Sequence, residues 1–240
     1  MEPISLAGIT TTPFAGRRHL VNVDRFAGTP APEDGVAAFI DSLPGILAGQ
    51  AFHNLVQHIA TARRNRRGVV VAMGAHVIKC GLSTVLIDLM KREIVTGLVL
   101  NGAGAIHDYE IALGGRTSED VADLLDDGSF GMAGETGAAL AAAAERGVRE
   151  GRGLGNALGW HIIEQKCPYR AKSLLAVAAG LNVPATVHVA IGTDTVHMHP
   201  NAMGAAMGES SHIDFRIACS VVAGLAGGVW MNVGSAVILP

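Results

Sequence analysis

Four short apolar runs constrain this chain most. "GVVVAMG" (68–74), "IVTGLVL" (94–100), "PATVHVAIG" (184–192) and "GGVWMNVG" (227–234) are rich in β-branched residues, and all but the second are bounded by glycine or proline. They lack the polar–apolar alternation of a half-exposed strand, which points to strands buried on both faces. Between them lie segments of helical spacing at 82–93, 117–127, 134–151, 155–166, 170–181 and 214–225. Strands of this type alternating with helices specify an α/β fold, a parallel sheet with helices on both faces. Ser118 stands where an N-cap of the 117–127 helix is expected.

Residues 1–34 contain Pro3, Pro13, Pro30 and Pro32 with no sustained period and read as an irregular arm. Two helical patterns follow, "GVAAFIDSL" and "AFHNLVQHIATARR", the second with Phe52, Leu55, Val56 and Ile59 on one face. No repeat or low-complexity linker divides the remainder, so 35–240 reads as one domain. The last residues, "GSAVILP", follow a strand directly, and a C-terminally shortened chain is the expectation.

Of the 240 residues, 49% are hydrophobic and 16% charged, enough for a substantial core. A net charge of −3 gives no basic footprint for nucleic acid. The one basic cluster, "ARRNRR" (62–67), sits at a helix end, where cations favour the dipole. Cys80, Cys167 and Cys219 are far apart and form no CxxC, which suits reduced thiols and a cytoplasmic home. No secretory signal is visible, and the long apolar stretch 219–239 is broken by glycines, Asn232 and Ser235, so no membrane span is expected.

In a parallel sheet the ligand crevice lies beyond the carboxyl ends of the strands. Three such ends carry small or chemically active residues: "GAHVIKCG" (74–81), "NGAGAIHD" (101–108) and "GTDTVHMH" (192–199). Glycine there lets a ligand approach the backbone, and helix amino ends can hold phosphate. Neither of the first two is a GxGxxG fingerprint. Gly74, Gly102 and Asp194 are expected to stand at one edge of the sheet.

The ordered blocks "GAHVIKCGL", "NGAGAIHDYEIAL", "TSEDV", "VPATVHVAIGTD" and "GGVWMNVGSAV" together resemble the deoxyhypusine synthase family, especially its bacterial deoxyhypusine synthase-like branch, from about residue 38 onward. The resemblance implies a Rossmann-like NAD-binding sheet, a homotetramer and NAD-dependent aminobutyl transfer. The donor would be a polyamine such as spermidine, and the acceptor amine a protein lysine or a diamine. It implies cofactor contacts at Gly74, Ala75, His76, Val77 and Ile78, at Gly102, Ala103 and Gly104, and at Asp108 and Asp194. It implies polyamine contacts at His107, Asp108 and His199, with His107 and His199 standing where the family has acids. The family's catalytic lysine has no counterpart in this sequence, and Lys79, Lys91, Lys166 and Lys172 are poor substitutes by position.

The residues themselves keep two other readings open. If "DTVHMH" is extended, His197 and His199 point the same way and could chelate a metal with Asp194 or Asp108, giving a metal-dependent hydrolase. A non-catalytic NAD-binding or assembly module is the other. Within the second strand end, Glu110 is about 200° from Asp108 around a helix and is expected to point away from it.

Overall fold

The computed structural model describes residues 2–234 except 125 and 127. Contacts divide the chain into two compact units, residues 1–57 and 58–240. The proline-rich 1–34 lies inside the first. That unit holds 3-10 turns at Phe14–Gly16 and Val23–Arg25, α1 (Val36–Asp41) and the start of α2 (Leu47–Arg64). Backbone bonds from Gly28 to Ser42 (2.8 Å) and from Gly45 to Arg25 (2.9 Å) tie its loops together.

The second unit contains β1 (Val69–Met73), α3 (His76–Lys79), α4 (Ser83–Lys91), β2 (Gly97–Asn101), α5 (Gly102–Gly114) and α6 (Val121–Leu124). Then come α7 (Gly134–Glu150), α8 (Gly153–Glu164), α9 (Leu174–Leu181), β3 (Ala185–His188), α10 (Gly204–Ala223) and β4 (Val229–Val233). The sheet is wholly parallel in the order β3-β2-β1-β4, with Met73 opposite both Leu100 and Val233. This is the Rossmann-like α/β arrangement. The chain steps outward from β1 to β3, then returns through α10 to the other side of β1.

Every residue of β1 is buried, which explains its run of β-branched residues. Val71, Met73, Leu98 and Leu100 face the main core with Leu140, Leu158 and Leu175, while Val70, Ala72 and Val99 face Val221 and Leu225. The period-2 alternation thus divides one apolar run between two helical layers. Glycines let the layers approach closely. A Cβ on Gly155 of α8 would overlap the carbonyl of Ala185, and one on Gly159 would overlap that of Leu175.

Several elements differ from the sequence expectation, each for a local reason. The second strand begins at Gly97 because the amides of Ile94 and Val95 bond the Leu89 carbonyl, closing α4. Ser118 adopts φ 69 and caps nothing; Asp120 Oδ1 accepts from the Ala122 amide instead, and α6 has only four residues. The 170–181 helix is broken by extended Ser173, whose hydroxyl accepts from Ala176 and starts α9. The terminal "SAVILP" lies outside the described residues. Among the described residues, no helix is long and apolar enough to cross a membrane.

Candidate functional site

Gly74, Gly102 and Asp194 all stand at the carboxyl edge of the sheet. The turn after β2 is the tightest of the three. Asn101 ends the strand in extended geometry, and its side chain accepts from the Gly104 amide at 2.9 Å, so α5 starts at once. The Asp194 carboxylate lies against Gly102, where any Cβ would collide with it. Asp194 Oδ2 accepts from Ala190 N at 3.1 Å. Burial raises its pKa, against the lowering effects of that amide and of His197.

This geometry corrects the expectation of a nucleotide cradle. The Asp194 carboxylate already covers Gly102, and Asn101 takes the Gly104 amide, so an acid stands where a phosphate would lie and one of the helix's first donors is already used. Gly102, Ala103, Gly104 and Asp194 therefore form a packed strand-to-helix junction that does not fit a dinucleotide's pyrophosphate. In the first loop, the Gly74 amide donates to the Val233 carbonyl at 3.2 Å. Val77 and Ile78 point into the main core, Ala75 is buried ahead of α3, and His76 is exposed. The side chains of Val77 and Ile78 are core, which corrects their reading as cofactor contacts.

Asp108 is the largest correction. It is wholly buried, and its carboxylate accepts from the Ser173 hydroxyl (2.6 Å) and from the Leu174 (2.7 Å) and Leu175 (3.0 Å) amides. It ties α5 to the amino end of α9 and is closed to cofactor and polyamine alike. Burial pushes its pKa up to about 6, despite three donors that favour the charge.

His199 is also committed elsewhere. Its Nε2 lies 3.0 Å from the Gly131 carbonyl, to which it donates, and its ring is packed against Gly137 of α7. It is 7% exposed and cannot receive a polyamine. The metal reading fails with it. Residues Thr195–Met198 form a 3-10 turn, so His197 and His199 do not alternate along an extended segment. His197 Nδ1 accepts from Gly192 N, and among the described residues no three His, Cys, Asp or Glu groups are placed to hold a metal.

The structure instead brings His107 and Glu110 together on one face of α5. His107 Nδ1 lies 2.6 Å from Thr117 Oγ1, and the Thr117 hydroxyl donates a very short bond to Glu110 Oε2. Thr136 donates to the other carboxylate oxygen at 3.3 Å. Because the single Thr117 proton goes to Glu110, its oxygen accepts from His107 Nδ1–H. The remaining ring nitrogen, Nε2, has no hydrogen-bond partner among the described residues. Burial opposes the charge on Glu110, but the contacts from His107, Thr117 and Thr136 outweigh it and hold the carboxyl below its usual range.

His107 lines a cavity of about 140 Å³ whose other walls include Lys79, Phe130 and Val196. A second, open cavity of about 420 Å³ adds Arg116 and Glu135. The two share Glu110, Ser118, Glu119 and Thr136 and so form one cleft. It collects residues from behind β1, β2 and β3, under cover of the segment that follows α5. The sequence reading set aside Glu110 and Lys79 and missed Thr117 and Thr136. The three-residue spacing of His107 and Glu110 was the available signal.

No family model matches the sequence, and no curated protein matches it. Among solved structures, the chain is similar to a conserved protein from Methanococcus maripaludis S2, provisionally assigned to the LOR/SDH type. The TM-score is 0.41 and the identity 12%, over 95% of this chain and 70% of that one. This likeness assigns neither family nor activity. With no family model and no curated deoxyhypusine synthase matching the chain, and with Asp108 and His199 closed to ligand, the resemblance drawn from the ordered blocks is withdrawn. Within those blocks, β2 and β3 are apolar strands that run into tight turns, a pattern set by close packing at the sheet edge.

Proposed function

We propose that the cleft binds a small amine-bearing molecule and that His107 exchanges a proton with it. The observation that carries this reading is the His107–Thr117–Glu110 chain opening on the cavity. With Nδ1–H held by Thr117, Nε2 keeps its lone pair and can act as a general base. The imidazolium that results is stabilised by Glu110, 3.8 Å from Nδ1 and reached through the threonine hydroxyl. Three acids (Glu110, Glu119 and Glu135) against two bases (Lys79 and Arg116) favour a cationic ligand. Lys79 has no ion-pair partner among the described residues, so a ligand whose far end is anionic fits better than a simple diamine. Removing a proton from an ammonium group produces the free amine that any transfer at nitrogen requires, aminoalkyl transfer included.

The test is an NMR titration of the histidine ring signals with spermidine and, separately, with 5-aminopentanoate. The expected result is a saturable shift of one signal, assigned by its loss in His107→Gln, with 5-aminopentanoate the tighter ligand. No response of that signal to either compound at millimolar concentration would end the proposal.

A further inference from the structure

The two edges of the sheet are treated differently. The outer edge of β3 is covered by α10. Asp214 Oδ2 accepts from the Val187 amide at 2.9 Å, and Ser211 Oγ accepts from the Val189 amide at 3.1 Å while donating to the Val187 carbonyl at 3.3 Å. The outer edge of β4 has no such cover among the described residues. Its ladder to β1 uses the Val229 amide at one end and the Val233 carbonyl at the other, so alternation turns the backbone groups of Trp230 and Asn232 outward. None of those groups is bonded among the described residues.

Exposed edges are ordinarily defended by charge, proline or a bulge. β4 has neither a charged residue nor a proline, and Gly228 and Gly234 flank it without side chains to bar approach. No residue of β4 is fully buried, although strands of a parallel sheet ordinarily are.

We propose that β4 docks a second copy of this chain, the two β4 strands pairing antiparallel about a two-fold axis at Met231. This register makes the edge self-complementary. Trp230 of each copy stands opposite Asn232 of the other, and each such pair exchanges both of its backbone bonds. Trp230 Nε1 already donates to Asn232 Oδ1 within one strand at 2.9 Å, and the second copy presents the same acceptor directly across. α10 extends the surface. Trp230 is in register with Val70, whose face is covered by Val221 and Leu225. Phe215, Cys219 and Val222 are exposed at i, i+4 and i+7, about 80–140° around α10 from Asp214. Ile217, on the other flank, stands beside Pro184 and Ala185 at the start of β3, so the stripe is on the β4 side. A foreign strand could satisfy the backbone of β4, but a second copy also brings a matching indole and a matching apolar stripe.

Hydrogen exchange and light scattering on the full chain test this. In the monomer the outward Trp230 and Asn232 amides exchange fast, whereas the Val229 amide, bonded to the Gly68 carbonyl at 2.9 Å, is protected. As protein concentration rises, scattering should report a dimer and the two outward amides should slow about tenfold or more. Trp230→Lys places a charge on the edge and should weaken the dimer about tenfold or more. Asn232→Pro removes an outward donor and no bond to β1, and should weaken it likewise. The exchange measurement needs no variant, so a substitution that fails to fold does not blunt the test. Three results overturn the proposal: a monomer at millimolar concentration, outward amides that are already slow in the monomer, or a dimer in which they stay fast.

Discussion

Replacing Asp108 by alanine should destabilise the protein, and by an amount that depends on pH in an unusual direction. At about pH 5 the carboxyl is largely neutral in the fold, because burial lifts its pKa from 3.8 to about 6. It still accepts from Ser173, Leu174 and Leu175, and alanine leaves these three donors unpaired in a dry site. Stranded donors cost about 1–3 kcal/mol each and are not additive, so a total of about 3–5 kcal/mol is reasonable. The sign of the pH term follows from the raised pKa. Between 3.8 and about 6 the folded state binds more protons than the unfolded state, so wild-type stability falls as pH rises. A shift of about two pKa units corresponds to about 3 kcal/mol. The penalty for Asp108→Ala should therefore shrink to about 0–2 kcal/mol near pH 8, where the wild type carries a buried charge. Urea unfolding of both proteins at several pH values measures the difference directly, and titrations common to both cancel. Asp108→Asn should unfold with a stability that lacks this part of the pH dependence. A penalty that grows with pH would mean that the anion is the stabilising form and would refute the reasoning. A penalty below about 1 kcal/mol at low pH would show that the three donors find other partners.

Asp214 should behave in the same sense: it accepts from Gly155 N and Val187 N, and burial pushes its pKa to about 7. Asp214→Asn should therefore remove a fall in stability between about pH 4 and pH 7, and an unchanged pH profile in urea unfolding would count against this. Gly155→Ala should cost about 1–3 kcal/mol in thermal or urea unfolding, because its methyl meets the Ala185 carbonyl and only backbone can give way; a neutral substitution would contradict the close α8–β3 packing. Self-association is also expected, because Phe215 and Val222 of α10 are half exposed and Trp230 of β4 is 37% exposed. Light scattering that gives only the 24.7 kDa monomer would reject it.

Much of the fold was legible because local chemistry decided it. The runs around Val70, Val99 and Thr186 are β-branched, too short for helices, and flanked by glycine or proline, so their strands follow from the sequence. The alanine-rich segment that became α7 has the right length and ends at Gly151 in left-handed conformation, where a helix stop belongs. What escaped were features whose causes are distant in sequence. Asp108 reaches Ser173 across 65 residues, and Asp214 reaches Gly155 across 59. No periodicity marks such a pair, and an acid next to a glycine-rich turn looks the same whether it meets a ligand or a helix terminus.

The glycines were misread for a related reason. At 102, 155 and 159 the small residue is required because something approaches the backbone, as the sequence argument assumed. The approaching group is Asp194 in the first case and another element's carbonyl in the others, and in none is it a ligand. The site itself, by contrast, was open to a stricter use of helix geometry. His107 and Glu110 are three residues apart, about 60° around α5, whereas Asp108 lies about 100° from His107 on the other side. A helix with one face in a cavity and the other in the core cannot offer all three to the same ligand. Once Tyr109 and Ala112 are taken as core positions, Asp108 turns inward with them, and His107 and Glu110 are left facing the cleft. The residue to choose as the partner of His107 was thus the acid that shares its face, with Thr117 completing the pair from the segment that folds back over it.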